Sequence, residues 1–201
     1  IEAATVAALF LAYLALWHFK RRRDIQRTGV DPDVLRRAAT PIQEYFARLV
    51  WLMTAFVGAI LGLHVFAPEA WPPLSRAEFF DHWWCYLLGG VLGATGLGIC
   101  ALAQATMGTS WRVGIDNRQR ADLITGGIFR WIRNPTYVGL HLVNVGLWLI
   151  WPTTLVATYV LLFFVVMDIQ VRCEEEFLAT AHGDDYRAYV ARTWRYVPLI
   201  Y

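Results

Sequence analysis

The chain has 201 residues, of which 57% are hydrophobic and 17% are charged, and it contains ten Trp. Long uncharged runs at this composition exclude an ordinary soluble domain and predict a polytopic membrane protein. The net charge of +2 says little by itself, and no nucleic-acid partner is expected. The three Cys residues lie in or beside separate apolar runs without CxxC spacing, so neither a disulfide framework nor a metal site is expected.

Five apolar runs along the chain predict an all-α membrane helix bundle. The first three cover about residues 3–19, 49–67 and 83–103. As one helix, the apolar stretch 135–167 would run about 50 Å, which is too long for one span. Pro152 near its middle predicts two short helices joined by a tight turn. We therefore expect three spans in residues 1–103, followed in residues 104–201 by a loop, a helical hairpin and a C-terminal tail that forms an amphipathic helix at the membrane surface.

Glycines four residues apart occur on the second and third runs. They are Gly58 with Gly62 and Gly89 with Gly93. Because small residues let helix backbones approach closely, we interpret both pairs as packing seams within one bundle. A dimer interface is the alternative interpretation.

Basic residues are distributed unevenly along the chain. Residues 20–48 contain eight Lys or Arg, residues 104–134 contain five and the part after residue 167 contains four, whereas the loop between runs two and three has Arg76 alone. Since positively charged loops remain in the cytoplasm, the N-terminus is predicted outside and the C-terminus inside. Arg outnumbers Lys 17 to 1, which favours a GC-rich prokaryotic source and its inner membrane.

A polar motif, RNPTYVG at residues 133–139, precedes the fourth apolar run. Asn134 is expected to cap the free N–H groups of the next helix, and Pro135 suits the first helical position. The positive end of that helix, together with Arg133, favours an anionic group nearby. The residues are equally compatible with a plain helix start at which Arg133 binds lipid phosphate.

Three adjacent carboxylates, Glu174 to Glu176, follow the last apolar run. A hairpin would bring them beside residues 133–139, where they could hold an ammonium group or ribose hydroxyls; a solvated helix face is the alternative. His141 and Asn144 share one face of the fourth helix. Asp168 either pairs with Arg172 one turn later or belongs to a site.

Together these motifs resemble the isoprenylcysteine carboxyl methyltransferase family and its phospholipid methyltransferase relatives. The resemblance covers about the last hundred residues. It rests on LITGGIF at 123–129, RNPTYVG at 133–139, EEEFL at 174–178, and Gly183, Tyr186, Tyr189, Arg195 and Pro198. Asn134 stands where many members have His, Ile128 where Pro is usual and Phe129 where Tyr is usual. Because Asn does not titrate near pH 7, a mechanism with a histidine base at this position is weakened.

The resemblance implies an integral membrane enzyme that uses S-adenosylmethionine as cofactor. Its acceptor would be a lipophilic small molecule or lipid-linked group, such as an isoprenyl-type carboxylate or thiol, taken from the bilayer at the cytoplasmic face. The implied cofactor-binding residues are Thr125, Gly127, Asn134, Pro135, Tyr137, Gly139, His141, Glu174 and Glu175, with Gly139 expected to offer close access to the backbone. The candidate catalytic residues are Arg133, Asn134, Glu175 and Arg195.

The acceptor decides which of these groups the chemistry needs. Arg133 or Arg195 would hold an anionic acceptor, whereas an amine acceptor would require a proton acceptor such as Glu175 or His141. Two other functional classes remain open at this point. They are an NADPH-dependent membrane reductase of the sterol reductase type and a non-catalytic membrane scaffold.

Overall fold

The computed structural model describes residues 1–37, 40–66, 72–115 and 122–197. Its α-helices are α1 (Glu2–Thr28), α2 (Pro41–Phe66), α3 (Trp83–Met107), α4 (Pro135–Ile150), α5 (Thr154–His182) and α6 (Asp184–Val190). Short 3₁₀ turns lie between them, and the described ranges contain no β-strand. The predicted all-α membrane bundle is confirmed, because α1, α2, α3 and α5 are each long and apolar enough to cross a membrane and α4 is a shorter apolar helix.

The first two helices extend beyond their apolar runs. α1 continues through the basic cluster at residues 20–23, where we expected it to end, because Lys and Arg are good helix formers. It stops at Gly29, which has φ 70° and donates its N–H to the Ile25 carbonyl at 2.8 Å. α2 begins at Pro41 instead of residue 49. The apolar runs therefore predicted only the hydrophobic part of each helix, and both helices extend beyond it.

The helical hairpin has the predicted turn but unequal arms. α4 has 16 residues, as expected, and the chain turns at Trp151–Thr153, where Thr153 Oγ1 accepts a hydrogen bond from the Val156 N–H. The expectation of a second short helix was wrong, because α5 has 29 residues and no Gly or Pro interrupts it before His182. Glu174 to Glu176 therefore lie inside α5 instead of after it.

The C-terminal tail is not the single amphipathic helix that we predicted. Gly183, at φ 55°, ends α5 and allows the chain to turn into the short helix α6. Residues 191–197 then turn back toward the start of α4. Arg118 and Arg120, two of the five basic residues of segment 104–134, lie outside the described residues, as does Pro198.

α3 and α4 are antiparallel and pack through facing glycines. Gly96 lies against Gly139, and a Cβ added to Gly96 would come within 2.4 Å of the Gly139 carbonyl oxygen. Gly89 lies against Gly146 in the same way, with a Cβ on Gly146 only 2.5 Å from the Gly89 oxygen. Because only glycine permits this approach, the four residues fix the distance between the two helices.

The two pairs of glycines spaced four residues apart differ in their surroundings. The predicted seam at Gly89 and Gly93 is confirmed, since Gly93 packs against the Leu9 side chain of α1. The prediction for Gly58 and Gly62 was wrong, because an added Cβ at either position would meet nothing within 4 Å. Composition alone did not distinguish a glycine that faces a helix from one that faces lipid.

The two ends of the bundle differ in their content of Lys and Arg. At one end Arg76 Nη1 donates to Glu2 at 2.7 Å and Arg76 Nε donates to Asp81 at 2.7 Å, while the His64 ring stacks on Trp151 with centroids 4.4 Å apart. These contacts join the start of α1, the approach to α3 and the α4–α5 turn. The other described Lys and Arg residues lie toward the opposite end, where α3 and α5 end and α4 begins.

Candidate functional site

Glu175 on α5 is held by three side chains from two other segments. Arg133 Nε and Asn134 Nδ2 both donate to Glu175 Oε1, at 3.1 and 3.0 Å. Arg195, beyond α6, donates to Oε2 from Nε at 2.9 Å, with its Nη2 at 2.7 Å. The Glu175 side chain is only 12% exposed, so the two guanidiniums compensate a largely buried charge. The hairpin thus brings the RNPTYVG motif into contact with the carboxylate run.

Asn134 occupies the N-cap position of α4, and Pro135 occupies the first helical position. The Asn134 side chain makes no capping hydrogen bond, so that prediction was wrong. Its Nδ2 donates instead to Glu175 and to the Arg195 carbonyl, the latter at 3.3 Å. The amide is thus oriented by its donor group toward Glu175, whereas capping would require its Oδ1 to accept from a backbone N–H.

Glu174 has different partners from its neighbour. Tyr137 Oη donates to Glu174 Oε1 at 2.7 Å, and Gln170 Nε2 donates to the same oxygen at 2.9 Å. Successive helical residues point about 100° apart, so Glu174 faces α4 and uncharged donors while Glu175 meets guanidiniums. The two adjacent carboxylates therefore occupy distinct environments.

The segment after α6 crosses the start of α4 and is bonded to it. The Arg133 N–H donates to the Trp194 carbonyl at 2.8 Å, and the Trp194 N–H donates to the Trp131 carbonyl at 3.1 Å. Tyr189 Oη donates to the Phe129 carbonyl at 2.7 Å. Burial raises the pKa of the Tyr189 hydroxyl to about 12, so this donor keeps its proton at neutral pH.

Asp168 connects α5 to the same C-terminal segment. It accepts hydrogen bonds from Arg172 Nε at 2.7 Å and from Tyr196 Oη at 2.9 Å. The predicted pair between Asp168 and Arg172 is confirmed, and the bond from Tyr196 is an addition that sequence spacing did not indicate. Burial and this hydrogen bond to the carboxylate raise the pKa of Tyr196, which keeps its hydroxyl a donor.

An open cleft of about 480 Å³ lies between α5, α6 and the segment that follows α6. Its lining residues are Arg172, Glu175, Glu176, Ala179, Tyr186, Arg187, Val190 and Arg195. Tyr186 is 4% exposed, and its buried Oη has no hydrogen-bond partner among the described residues. Buried hydroxyls are normally paired, so the unpaired Oη marks Tyr186 as a residue of the cleft wall whose hydrogen bonding is incomplete.

Only some of the predicted site residues line the cleft. Glu175 and Arg195 line the cleft, whereas Arg133, Asn134 and Tyr137 contact the two carboxylates from the α4 side. Sequence reasoning did not select Arg172, Glu176, Tyr186 and Arg187 as site residues. The spacing of residues 172, 175, 176 and 179, which is i, i+3, i+4 and i+7 on one helix face, is the signal that would have indicated Arg172 and Glu176. Tyr186 and Arg187 lie on α6 and are not part of this pattern.

Several predicted cofactor-binding residues do not line the cleft. Gly139 was expected to offer backbone access, but it is buried against α3, where a Cβ would lie 2.5 Å from the Gly96 oxygen. Thr125 and Gly127 lie in the loop before α4, and a Cβ on Gly127 would come within 2.9 Å of Thr106. His141 is packed deeper in the hairpin, with its ring stacked on Phe164 at a centroid distance of 4.1 Å.

Three comparisons relate this chain to known proteins. The phospholipid methyltransferase family matches residues 84–185, which include α3, α4, α5 and the Arg133, Tyr137, Glu174 and Glu175 cluster. Protein-S-isoprenylcysteine O-methyltransferase of Dictyostelium discoideum is 25% identical over 145 residues, which are 65% of this chain and 55% of that protein. This chain therefore spans about half the length of that relative.

A solved structure has the same fold. It is the eukaryotic intramembrane Ras methyltransferase isoprenylcysteine carboxyl methyltransferase, determined without a monobody, and it matches with a TM-score of 0.60 and 20% sequence identity. The match covers 100% of this chain and 68% of that one. The family match extends over half of the sequence and contains the polar cluster described above. The chain is thus a member of the phospholipid methyltransferase family.

Proposed function

We propose that this protein is an integral membrane methyltransferase that transfers the methyl group of S-adenosylmethionine to a lipophilic acceptor at the cytoplasmic membrane face. One observation carries the proposal: the RNPTYVG motif and the Glu174–Glu175 pair are bonded to each other at the basic end of a membrane bundle of this family. The similarity to an isoprenylcysteine methyltransferase supports a prenyl-like or lipid acceptor.

The cleft suits the polar half of S-adenosylmethionine, which has a carboxylate, an ammonium group and ribose hydroxyls. Arg187 offers a cation and Glu176 an anion, and Tyr186 offers the unpaired hydroxyl. Arg187 pairs with Asp184 on the surface, and exposed pairs of this kind are weak enough to exchange partners. The volume of about 480 Å³ falls within the range of roughly 300–1,000 Å³ typical of small-molecule sites.

The bound cofactor would supply an electrophilic methyl group, and the protein would supply alignment. Methyl transfer gains more from correct positioning of nucleophile and methyl than from acids and bases. Glu175 fixes Arg133 at the start of α4 and Arg195 in the C-terminal segment, so it ties both segments to α5. We assign Glu175, Arg133 and Asn134 as positioning residues.

The acceptor would reach the site from the bilayer. Leu161, Val165 and Ile169 form an exposed apolar stripe on α5 that leads toward the polar cluster. The concentration of basic residues at this end favours the cytoplasmic side, since positively charged loops remain there. The same charge would attract anionic lipids to the membrane around the site.

Transfer of a labelled methyl group tests this function. Purified protein is incubated with tritiated S-adenosylmethionine and a hydrophobic extract of native membranes, and the organic phase is counted. We expect label in the organic phase and at least a tenfold loss in Glu175→Gln. Asp185→Asn, which changes an exposed carboxylate on α6, serves as the matched control and should keep full activity. Absence of label with folded wild-type protein that binds S-adenosylmethionine would contradict the proposal.

A further inference from the structure

His141 lies on α4 one helical turn after Tyr137, deeper in the membrane part of the hairpin. Its ring stacks on Phe164 with a centroid distance of 4.1 Å and an interplanar angle of 13°. Phe163 and Tyr196 contact it edge-on, at 5.9 and 5.8 Å. Three aromatic side chains thus fix the orientation of the imidazole.

The Nδ1 atom of this fixed ring is buried and has no hydrogen-bond partner within the described part of the chain. Buried polar atoms are almost always paired, and an unpaired one is especially costly where no water is available. A His within a membrane segment usually marks a site. A ring held by stacking while Nδ1 remains unpaired leaves one fixed hydrogen-bonding position in the hairpin for a bound molecule.

The charges around His141 indicate what kind of ligand it would accept. Arg133 and Arg195 both bind Glu175, and Arg172 binds Asp168. Each guanidinium near the site therefore already has a carboxylate. Tyr196 donates to Asp168, contacts the His141 ring and directly follows Arg195 in the chain, which links the ring to the wall of the cleft. An anionic acceptor would meet no excess positive charge here. A neutral imidazole accepts a hydrogen bond from an O–H or S–H group through its unprotonated nitrogen.

The apolar part of such a ligand also has a path to the bilayer. Phe163 and Phe164 flank His141 on α5, and the exposed stripe of Leu161 and Val165 continues from them on the same helix. Leu161 is 67% exposed and Val165 is 59% exposed. A molecule with its polar group at His141 would lie with its chain along lipid-facing surface.

We propose that His141 Nδ1 binds the reactive group of the methyl acceptor, and that this acceptor is an uncharged amphiphile with a hydroxyl or thiol. This inference rests on the proposed function. In the transfer, the acceptor oxygen or sulfur forms a bond to the methyl carbon while the bond from that carbon to the sulfonium sulfur breaks, its electron pair staying on that sulfur. The acceptor proton passes to His141 Nδ1. The products are a methyl ether or thioether, a neutral cofactor thioether and one proton on the imidazole.

Binding without the cofactor is the first test. Protein with ¹⁵N-labelled histidine in detergent is titrated with 4-decylphenol or with decanoate, and the His141 signal is identified by its loss in His141→Phe. We expect 4-decylphenol to shift the Nδ1 resonance and decanoate to leave it in place. An equal response to decanoate would overturn the inference.

The chemistry of the labelled product is the second test. Product formed from the native extract is treated with base, which releases methanol from methyl esters and leaves methyl ethers, thioethers and methylamines intact. Retention on a cation exchanger then identifies methylamines, and desulfurisation separates thioethers from ethers. We expect base-stable label that is not retained on the exchanger and that falls at least tenfold in His141→Phe, while the affinity for S-adenosylmethionine stays within twofold. His18→Phe replaces an exposed histidine and is the matched control.

The outcomes separate this inference from the function on which it rests. Base-labile label, or unchanged labelling in His141→Phe, would overturn the role of His141 and leave the methyltransferase proposal standing. Failure of the wild-type protein to label any extract component, although it binds S-adenosylmethionine, would overturn both.

Discussion

Glu174 and Glu175 are adjacent in sequence but bind different partners. Glu175 neutralises Arg133 and Arg195, whereas Glu174 accepts hydrogen bonds from Tyr137 and Gln170. The sequence predicted that these carboxylates would meet the RNPTYVG motif, because a hairpin returns the chain to the same membrane face. It did not predict which carboxylate meets which donor, since that depends on the rotation of α5 about its axis.

Replacing Glu175 tests the contribution of the ion pairs to stability. In Glu175→Gln, two largely buried guanidiniums lose their counter-charge, and removal of one partner from such a group costs roughly 3–5 kcal/mol. Because Glu175 keeps 12% exposure, we expect a decrease of about 2–4 kcal/mol in the free energy of unfolding. Denaturant titration in detergent measures it. The control is Glu176→Gln, an exposed neighbour that should change stability by less than about 0.5 kcal/mol.

At the scale of elements, α3 and α4 form the most closely packed pair. Their glycines repeat every seven residues, Gly89 with Gly96 on α3 and Gly139 with Gly146 on α4. The spacing of glycines four residues apart predicted only part of this seam. It also predicted a second seam at Gly58 and Gly62, where an added Cβ would meet nothing within 4 Å. Glycine spacing identifies a helix face that could pack closely. It does not tell which helix packs against that face, because this depends on the tertiary structure.

Adding one methyl group to the seam should separate the two helices. We expect Gly96→Ala to destabilise the protein by about 1–3 kcal/mol, because the new Cβ would overlap the backbone of α4. Gly98→Ala is the matched control, since a Cβ there meets nothing within 4 Å. Its unfolding temperature should stay equal or rise slightly, as Ala is the better helix former. Equal effects of the two substitutions on the unfolding temperature would contradict the assigned seam.

Helix boundaries show a further limit of sequence reasoning at this scale. The apolar runs predicted every membrane helix, yet α1 and α5 continue through charged residues because charge does not break a helix. The cleft was not predicted, since it depends on the turn at Gly183 that folds α6 back toward α5. Tyr186 and Arg187 reach their positions only through that turn.

At the scale of the whole molecule, charge is segregated between the two ends of the bundle. Arg76 is the one basic residue that the described chain places at the end with Glu2 and Asp81, while the polar cluster around Glu175 lies at the opposite end. Sequence patterning predicted this separation from loop charges alone. The same asymmetry predicts the orientation in the membrane, and this prediction is testable by itself.

Labelling of single cysteines tests the orientation. In a Cys173→Ala background, with Cys85 and Cys100 buried, we introduce Phe79→Cys at a 77% exposed position or Arg187→Cys at a 69% exposed side chain of α6. A membrane-impermeant maleimide should label position 79 in intact cells and position 187 only after permeabilisation. The reverse pattern would place the site outside the cytoplasm.

We propose that this membrane bundle binds S-adenosylmethionine beside Glu175, and calorimetry of the purified protein in detergent measures that binding. We expect micromolar binding of S-adenosylmethionine or its demethylated product and no binding of NADPH. Tyr186→Phe, which removes the unpaired hydroxyl of the cleft, should weaken the affinity about five- to tenfold, the effect of one lost hydrogen bond. A folded sample that binds neither S-adenosylmethionine nor its product, or that binds NADPH instead, would contradict the account.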